Sequence, residues 1–224
     1  MATVATTIDQ AEPAETASET MADVIERLGG IPAERILMRP VPGTATEEDV
    51  VKTQLCELID GTIVAKTRGL FESVLGLTLA DFFQTYLDEQ NRGFVVGADC
   101  HLRFGAQVRE PDVAFVSWDR LPGGEIPDTP VGEVTPDLAV DILKRDNTIA
   151  EFERKKREYF AHGVRLVWIA DPPQRIVEVW NDVETCRTLG EDGVLDGGDI
   201  LPSFTLPVRE WFERTERRLR KGNP

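Results

Sequence analysis

Long apolar runs are missing from this 224-residue sequence: none approaches the roughly 20 residues needed to cross a bilayer. Residues 1–20 contain no Lys or Arg and no apolar core, so they do not read as a secretory signal. Cysteine is scarce. Cys56, Cys100 and Cys186 are odd in number, far apart and without a C-x-x-C pair, which argues against a disulfide framework or a structural zinc site. The phosphate loop G-x-x-x-x-G-K-[ST], the dinucleotide motif G-x-G-x-x-G and the nucleophile elbow G-x-S-x-G are all absent. His101 and His162 are isolated and read as structural or surface residues. Positive charge is in short supply: 25 Lys and Arg stand against 40 Asp and Glu, a net charge of −15. That counts against a broad non-specific nucleic-acid surface, which needs neutralising cations. It leaves a metal-dependent site open, because a bound divalent ion inverts the local field at a carboxylate cluster. A soluble, cytoplasmic chain with no membrane association is expected.

What is present divides into three parts. Residues 1–20, rich in Ala, Thr, Glu and Pro, are expected to form a disordered acidic tail. Residues 21–52 form an N-terminal extension, with a short helix over Met21–Leu28, a proline-marked connection and a helical turn near Thr46. Residues 53–224 form the main domain. Its first feature is a hairpin, Leu55–Ile59 and Thr62–Ala65 around Asp60-Gly61. A helix over Gly69–Gln90 follows from the spacing of Phe71, Val74, Leu75, Leu79, Phe82 and Tyr86. Strands are expected over Phe94–Ala98, Cys100–Phe104, Asp112–Val116, Leu138–Leu143, Val164–Ile169 and Arg175–Trp180. Helices are expected over Asn147–Ala161 and Val208–Lys221, and residues 121–135 read as a loop. The order implies a mixed α/β domain with a central sheet flanked by helices.

Two aspartates stand out. Asp112 opens the run Val-Ala-Phe-Val, and Asp141 interrupts the apolar strand Leu138–Leu143. A carboxylate in such a strand needs a partner, either an ion pair or a metal. Hard cations such as Mg²⁺ favour carboxylate oxygens, and a metal held by two aspartates can polarise a phosphodiester. Glu72 is a third candidate metal ligand, because it falls on the apolar arc of the long helix. It equally suits the helix N-terminus, where acids complement the dipole.

A lysine two positions after an acid shares its face of a strand. Position 143 is Leu, and Lys144 should point to the opposite face unless the strand ends or bulges. The following helix offers Lys155 and Lys156. A wheel of about 100° per residue places Lys156 near the middle of the packing face and Lys155 at its edge. It therefore favours Lys156 as the inward group, with Lys155 free to pair with Glu151 at i,i+4.

The segments Pro42-Gly-Thr-Ala-Thr-Glu-Glu-Asp-Val, Glu57-Leu-Ile-Asp-Gly, Arg109-Glu-Pro-Asp-Val-Ala-Phe-Val and Pro136-Asp-Leu-Ala-Val-Asp-Ile-Leu are followed by Asn147-Thr, Lys155-Lys-Arg-Glu-Tyr-Phe, Gly163-Val-Arg-Leu-Val-Trp and Leu195-Asp-Gly-Gly-Asp-Ile-Leu-Pro. In this order, from Met21 to Phe212, they resemble the Uma-type family of putative restriction endonucleases, within the PD-(D/E)XK nuclease class. The resemblance implies a restriction-endonuclease-like core and a metal-dependent endonuclease acting on DNA with Mg²⁺ or Mn²⁺, with a homodimer as the candidate assembly. It implies Asp112 and Asp141 as the acids, although the family's usual second acid is Glu. The family's lysine has migrated to the helix, in a pattern that carries over to Lys155 and leaves Lys156 where an apolar residue is usual. Lys144 and Arg145 replace the family's small polar residue and Pro. A catalytically inactive module binding nucleic acid or protein is the alternative these departures suggest.

Overall fold

A computed structural model describes residues 19–67, 69–121 and 123–220. Most of the expected acidic tail therefore lies outside the described residues. Along the chain run α1 (Met21–Arg27), α2 (Glu47–Val51), β1 (Cys56–Ile59), β2 (Thr62–Ala65), α3 (Leu70–Gln90), β3 (Gly93–Gly97), β4 (Leu102–Phe104), β5 (Gln107–Arg109) and β6 (Val113–Ser117). They are followed by β7 (Leu138–Ile142), α4 (Ile149–Ala161), β8 (Leu166–Asp171), β9 (Ile176–Trp180), β10 (Cys186–Leu189), β11 (Val194–Gly197), β12 (Leu201–Pro207) and α5 (Val208–Leu219).

The central sheet has six strands in the order β10-β9-β8-β7-β6-β3. Only β7 and β8 run parallel, joined through α4; their neighbours pair antiparallel. The architecture is thus the mixed α/β one expected, with a helix-flanked central sheet. Alternation along β6 and β7 sorts the two faces. Val113, Phe115, Leu138, Val140 and Ile142 pack with Leu75, Leu79 and Phe83 of α3 and with Trp211 and Phe212 of α5. Ala114, Val116 and Ala139 face the other way, toward Phe152, Tyr159 and Phe160 of α4. Asp112 and Asp141 share the parity of this second face.

The hairpin forms as its sequence requires. Asp60 and Gly61 both take positive φ, 45° and 64°, the pattern of a two-residue turn whose twist suits paired strands. A Cβ on Gly61 would stand 2.6 Å from the carbonyl oxygen of Gly43, so the turn needs glycine twice over. Strands β1 and β2 extend into a separate four-stranded sheet, β2-β1-β5-β4. The short strand β5 was not expected; it follows the anticipated run Cys100–Phe104, observed as β4, and folds back to pair with it. In the N-terminal extension, Val24, Leu28, Ile31 and Ile36 pack on Ile59 and Val64.

Helix α4 starts at a reciprocal capping box, Thr148 with Glu151, which satisfies two N-terminal donors. It lies between the central sheet and the four-stranded sheet: the Tyr159 ring meets Phe104 of β4, with centroids 4.9 Å apart. Three further strands escape the periodicity reading. Strand β10 is a polar edge, and β11 with β12 forms a two-stranded ribbon whose Leu195, Leu201, Phe204 and Leu206 complete the core beneath α5. Among the described residues, no helix is long and apolar enough to cross a membrane.

Candidate active site

The register of β6 on β7 sets Val113 opposite Val140 and Ala114 opposite Ala139. Continued by one residue, it sets Asp112 opposite Asp141. The backbone ties them further: the Asp112 N–H donates to the Val140 carbonyl at 2.9 Å, and the Ile142 N–H donates to Asp112 Oδ2 at 2.8 Å. Both side chains are buried.

Each carboxylate has its own cations. Lys155 Nζ donates to Asp141 Oδ1 at 2.7 Å, and the Tyr159 hydroxyl donates to Oδ2 at 3.0 Å. Lys155 and Tyr159 lie one helical turn apart on α4, so one face serves both oxygens. Lys155 also lies 2.9 Å from Glu57 Oε1. Glu57 in turn accepts from Arg109 at 2.9 Å, and Arg109 reaches Glu158 on α4 at 2.6 Å. Asp112 accepts from Lys144 at 2.6 Å and from Lys66 at 3.3 Å. The centre is therefore a cluster of three carboxylates, Asp112, Asp141 and Glu57, with three ammoniums, Lys66, Lys144 and Lys155, and the Arg109 guanidinium against them.

The structure decides three readings of the lysines. Lys144 does not point away from Asp141's face. Strand β7 ends at Ile142, the Lys144 N–H turns to Asn147 Oδ1 at 3.0 Å, and the alternation that would have sent its side chain away no longer applies. Lys156 is inward only in the sense of being buried. Its amine sits 3.2 Å from the Trp180 ring centroid and 2.9 Å from Glu153 Oε1, while Lys155, at the edge of the wheel, reaches the aspartate. The expected Glu151–Lys155 pair does not form, because Glu151 is taken by Arg35 in a two-pronged contact at 2.7 and 2.9 Å.

Glu57, Lys66, Arg109 and Tyr159 also belong to the centre and were not singled out from the residues themselves. Glu57 gave the same signal as Asp141, an acid inside a buried strand. Tyr159 gave a weaker one, four positions after Lys155. Lys66 and Arg109 gave none, because their partners are set by the pairing of distant strands.

Burial pushes both aspartates upward, with opposite net results. At Asp112, Lys66, Lys144 and Lys155 outweigh burial and hold the carboxyl below its ordinary range. Asp141 stays raised, because burial and the neighbouring charge of Asp112 exceed the help from Lys155. Burial would lower Lys155, yet Asp141 and Glu57 raise it well above the ordinary lysine value. It is an ammonium at neutral pH and a donor, not a base.

Asp112, Lys66 and Lys144 lie at the floor of a cleft of about 410 Å³, with Glu72 and Ser73 of α3 on its wall. A recess of about 20 Å³ continues between Asp112 and Asp141, bounded also by Lys155 and Glu57; a space of about 10–15 Å³ admits one water. The donor chemistry fits a divalent ion: hard oxygens on adjacent strands, a like-charge penalty that a cation relieves, and an adjoining space for water. Among the described residues no three His, Cys, Asp or Glu side chains converge on one point. The fit is thus to an ion held by two carboxylates that keeps several waters, a mode suited to Mg²⁺.

A solved structure from Anabaena variabilis ATCC 29413, titled a putative nuclease belonging to DUF820, superposes with a TM-score of 0.67 at 17% identity, covering 76% of this chain and 98% of that one. At that identity the likeness establishes a shared fold. No curated protein matches the sequence significantly. A family model described as putative restriction endonuclease matches residues 51–209, a span that includes both aspartates, Lys144 and Lys155. The chain belongs to this Uma2 family of putative restriction endonucleases.

Proposed function

We propose that the chain is a divalent-metal-dependent endonuclease that hydrolyses phosphodiester bonds in DNA, with Mg²⁺ or Mn²⁺ held by Asp112 and Asp141. The observation that carries this reading is the registered aspartate pair with Lys155 Nζ 2.7 Å from Asp141. When bound, the ion would supply Lewis acidity at an oxygen of the scissile phosphate.

The side chains have distinct parts in this reading. Lys155 holds its proton and offers positive charge where negative charge develops on the phosphate. Tyr159, whose phenol burial and Asp141 push well above its ordinary value, keeps its proton too and fixes the orientation of the Asp141 carboxylate. Glu57 holds Lys155, and Arg109 holds Glu57. In this reading Lys66 and Lys144, which line the cleft, meet the strand's phosphates. Glu72 lines the cleft with its carboxylate turned toward Gly69 at the N-terminus of α3, and the reading gives it no metal contact.

The test is cleavage of single- and double-stranded DNA and RNA by purified protein with Mg²⁺ or Mn²⁺, beside Asp141→Asn. Metal-dependent cleavage of DNA by the wild type alone supports the reading. A second reading, a catalytically inactive nuclease-fold module, is favoured by one observation: lysines and a tyrosine already satisfy all four aspartate oxygens or share them with the backbone. Folded wild type that cuts no nucleic acid with either metal would move the weight to it.

A further inference from the structure

Lys144 is bound differently from the other two ammoniums of the cluster. Lys155 is committed to two carboxylates. Lys66 is anchored mainly on the Glu110 carbonyl, at 2.7 Å, and stands 3.3 Å from Asp112. Lys144 Nζ lies 2.6 Å from Asp112 Oδ2 and 3.1 Å from the Ile142 carbonyl. It is thus a cation coordinated by one carboxylate and one main-chain oxygen at the end of the acid-bearing strand. These are the oxygen types a divalent ion takes. Lys144 also lines both the recess and the open cleft, so its side chain has a way out.

We propose that Lys144 is a tethered competitor for the divalent-ion site: its ammonium holds the cation position on Asp112, and a divalent ion enters by displacing it into the cleft. The proposal rests on the metal-centre reading above. Charge carries the argument. Asp112 already carries two ammoniums, Lys66 and Lys144, so a divalent ion added with Lys144 in place would leave uncompensated positive charge in a buried setting. Releasing Lys144 on its flexible stem returns one charge to water. The contact it gives up with Asp112 is lost from the apparent metal affinity. An anion in the cleft that receives the freed ammonium would restore part of that loss, so metal and phosphate binding should favour each other.

The test is calorimetric titration of the full chain with Mn²⁺ in five forms: wild type, Lys144→Met, Lys144→Arg, Asp112→Asn, and Lys144→Met combined with Asp112→Asn. Removing a charged hydrogen bond should tighten Mn²⁺ binding of Lys144→Met by roughly ten- to a hundredfold. Lys144→Arg, which keeps the charge, should bind like wild type, and the double variant should lose the gain. Equal affinity of wild type and Lys144→Met, with binding abolished by Asp112→Asn alone, overturns the competition and leaves the metal centre standing. Tightening in Lys144→Arg as well overturns it too, because space and not charge would then be the cause. No Mn²⁺ binding in any form overturns both readings. Should Lys144→Met fail to fold, Lys144→Gln enters the same titration with the same expectations.

Discussion

Lys155 Nζ and Asp141 Oδ1 stand 2.7 Å apart, with both side chains under a tenth exposed, pinning α4 to the strand that carries the acid. Lys155→Met should therefore act twice. Breaking a buried pair from one side costs about 3–5 kcal/mol, read by chemical denaturation. Cleavage by protein confirmed as folded should fall by about a hundredfold or more, because a preorganised donor at the phosphate is lost. Folded Lys155→Met that cuts at wild-type rate would remove Lys155 from the chemistry.

Lys156, the next residue, supplies the contrast. Its amine lies over Trp180 and never approaches the aspartates. Lys156→Met keeps the bulk of the side chain and gives up a cation–π contact of about 0.5–2 kcal/mol. Its cleavage rate should stay within about twofold of wild type. A loss as deep as that of Lys155→Met would mean that the two lysines have been assigned the wrong roles.

The Arg35–Glu151 pair ties residues before the hairpin to the first turn of α4. Burial pushes the Glu151 carboxyl up, but the Arg35 guanidinium outweighs it and holds the group below its ordinary value of 4.5. The unfolded chain then takes up protons first as pH falls. The pair's contribution is complete above about pH 4.5 and is lost as pH drops through the lower folded value. Arg35→Leu should cost about 3–5 kcal/mol near neutral pH, and the gap to wild type should shrink below about pH 4.5. Denaturation curves over pH 3–7 would show this; a gap that grows on acidification contradicts it.

Much of the fold was legible because its main elements carry strong local signals. Asp60-Gly61 between apolar runs can hardly be other than a hairpin turn. The spacing of Leu75 and Leu79 and the run Leu138–Ile142 announce the long helix and the central strand. The missed strands lack such signals. Cys186–Leu189 is mostly exposed and has no apolar alternation, and Gln107–Arg109 is too short to show a period.

The site was partly legible for a related reason. An acid inside an apolar strand is conspicuous, so Asp112 and Asp141 could be picked out, but their common face follows only from the register of β6 on β7. The lysines could not be assigned by the same logic. Where Lys144 points depends on where β7 stops, and a helical wheel gives the direction of a Cβ but not the reach of a four-carbon stem. Arg109 with Glu57 and Arg35 with Glu151 join residues 52 and 116 positions apart, which only the tertiary structure brings together.

The most direct test of the metal centre is an anomalous difference map from crystals equilibrated with Mn²⁺. We expect a peak between the Asp112 and Asp141 carboxylates, about 2.1 Å from an oxygen of each, with Lys144 withdrawn from Asp112. Saturating Mn²⁺ with no density between the two aspartates, and Lys144 still bound to Asp112, would contradict the account.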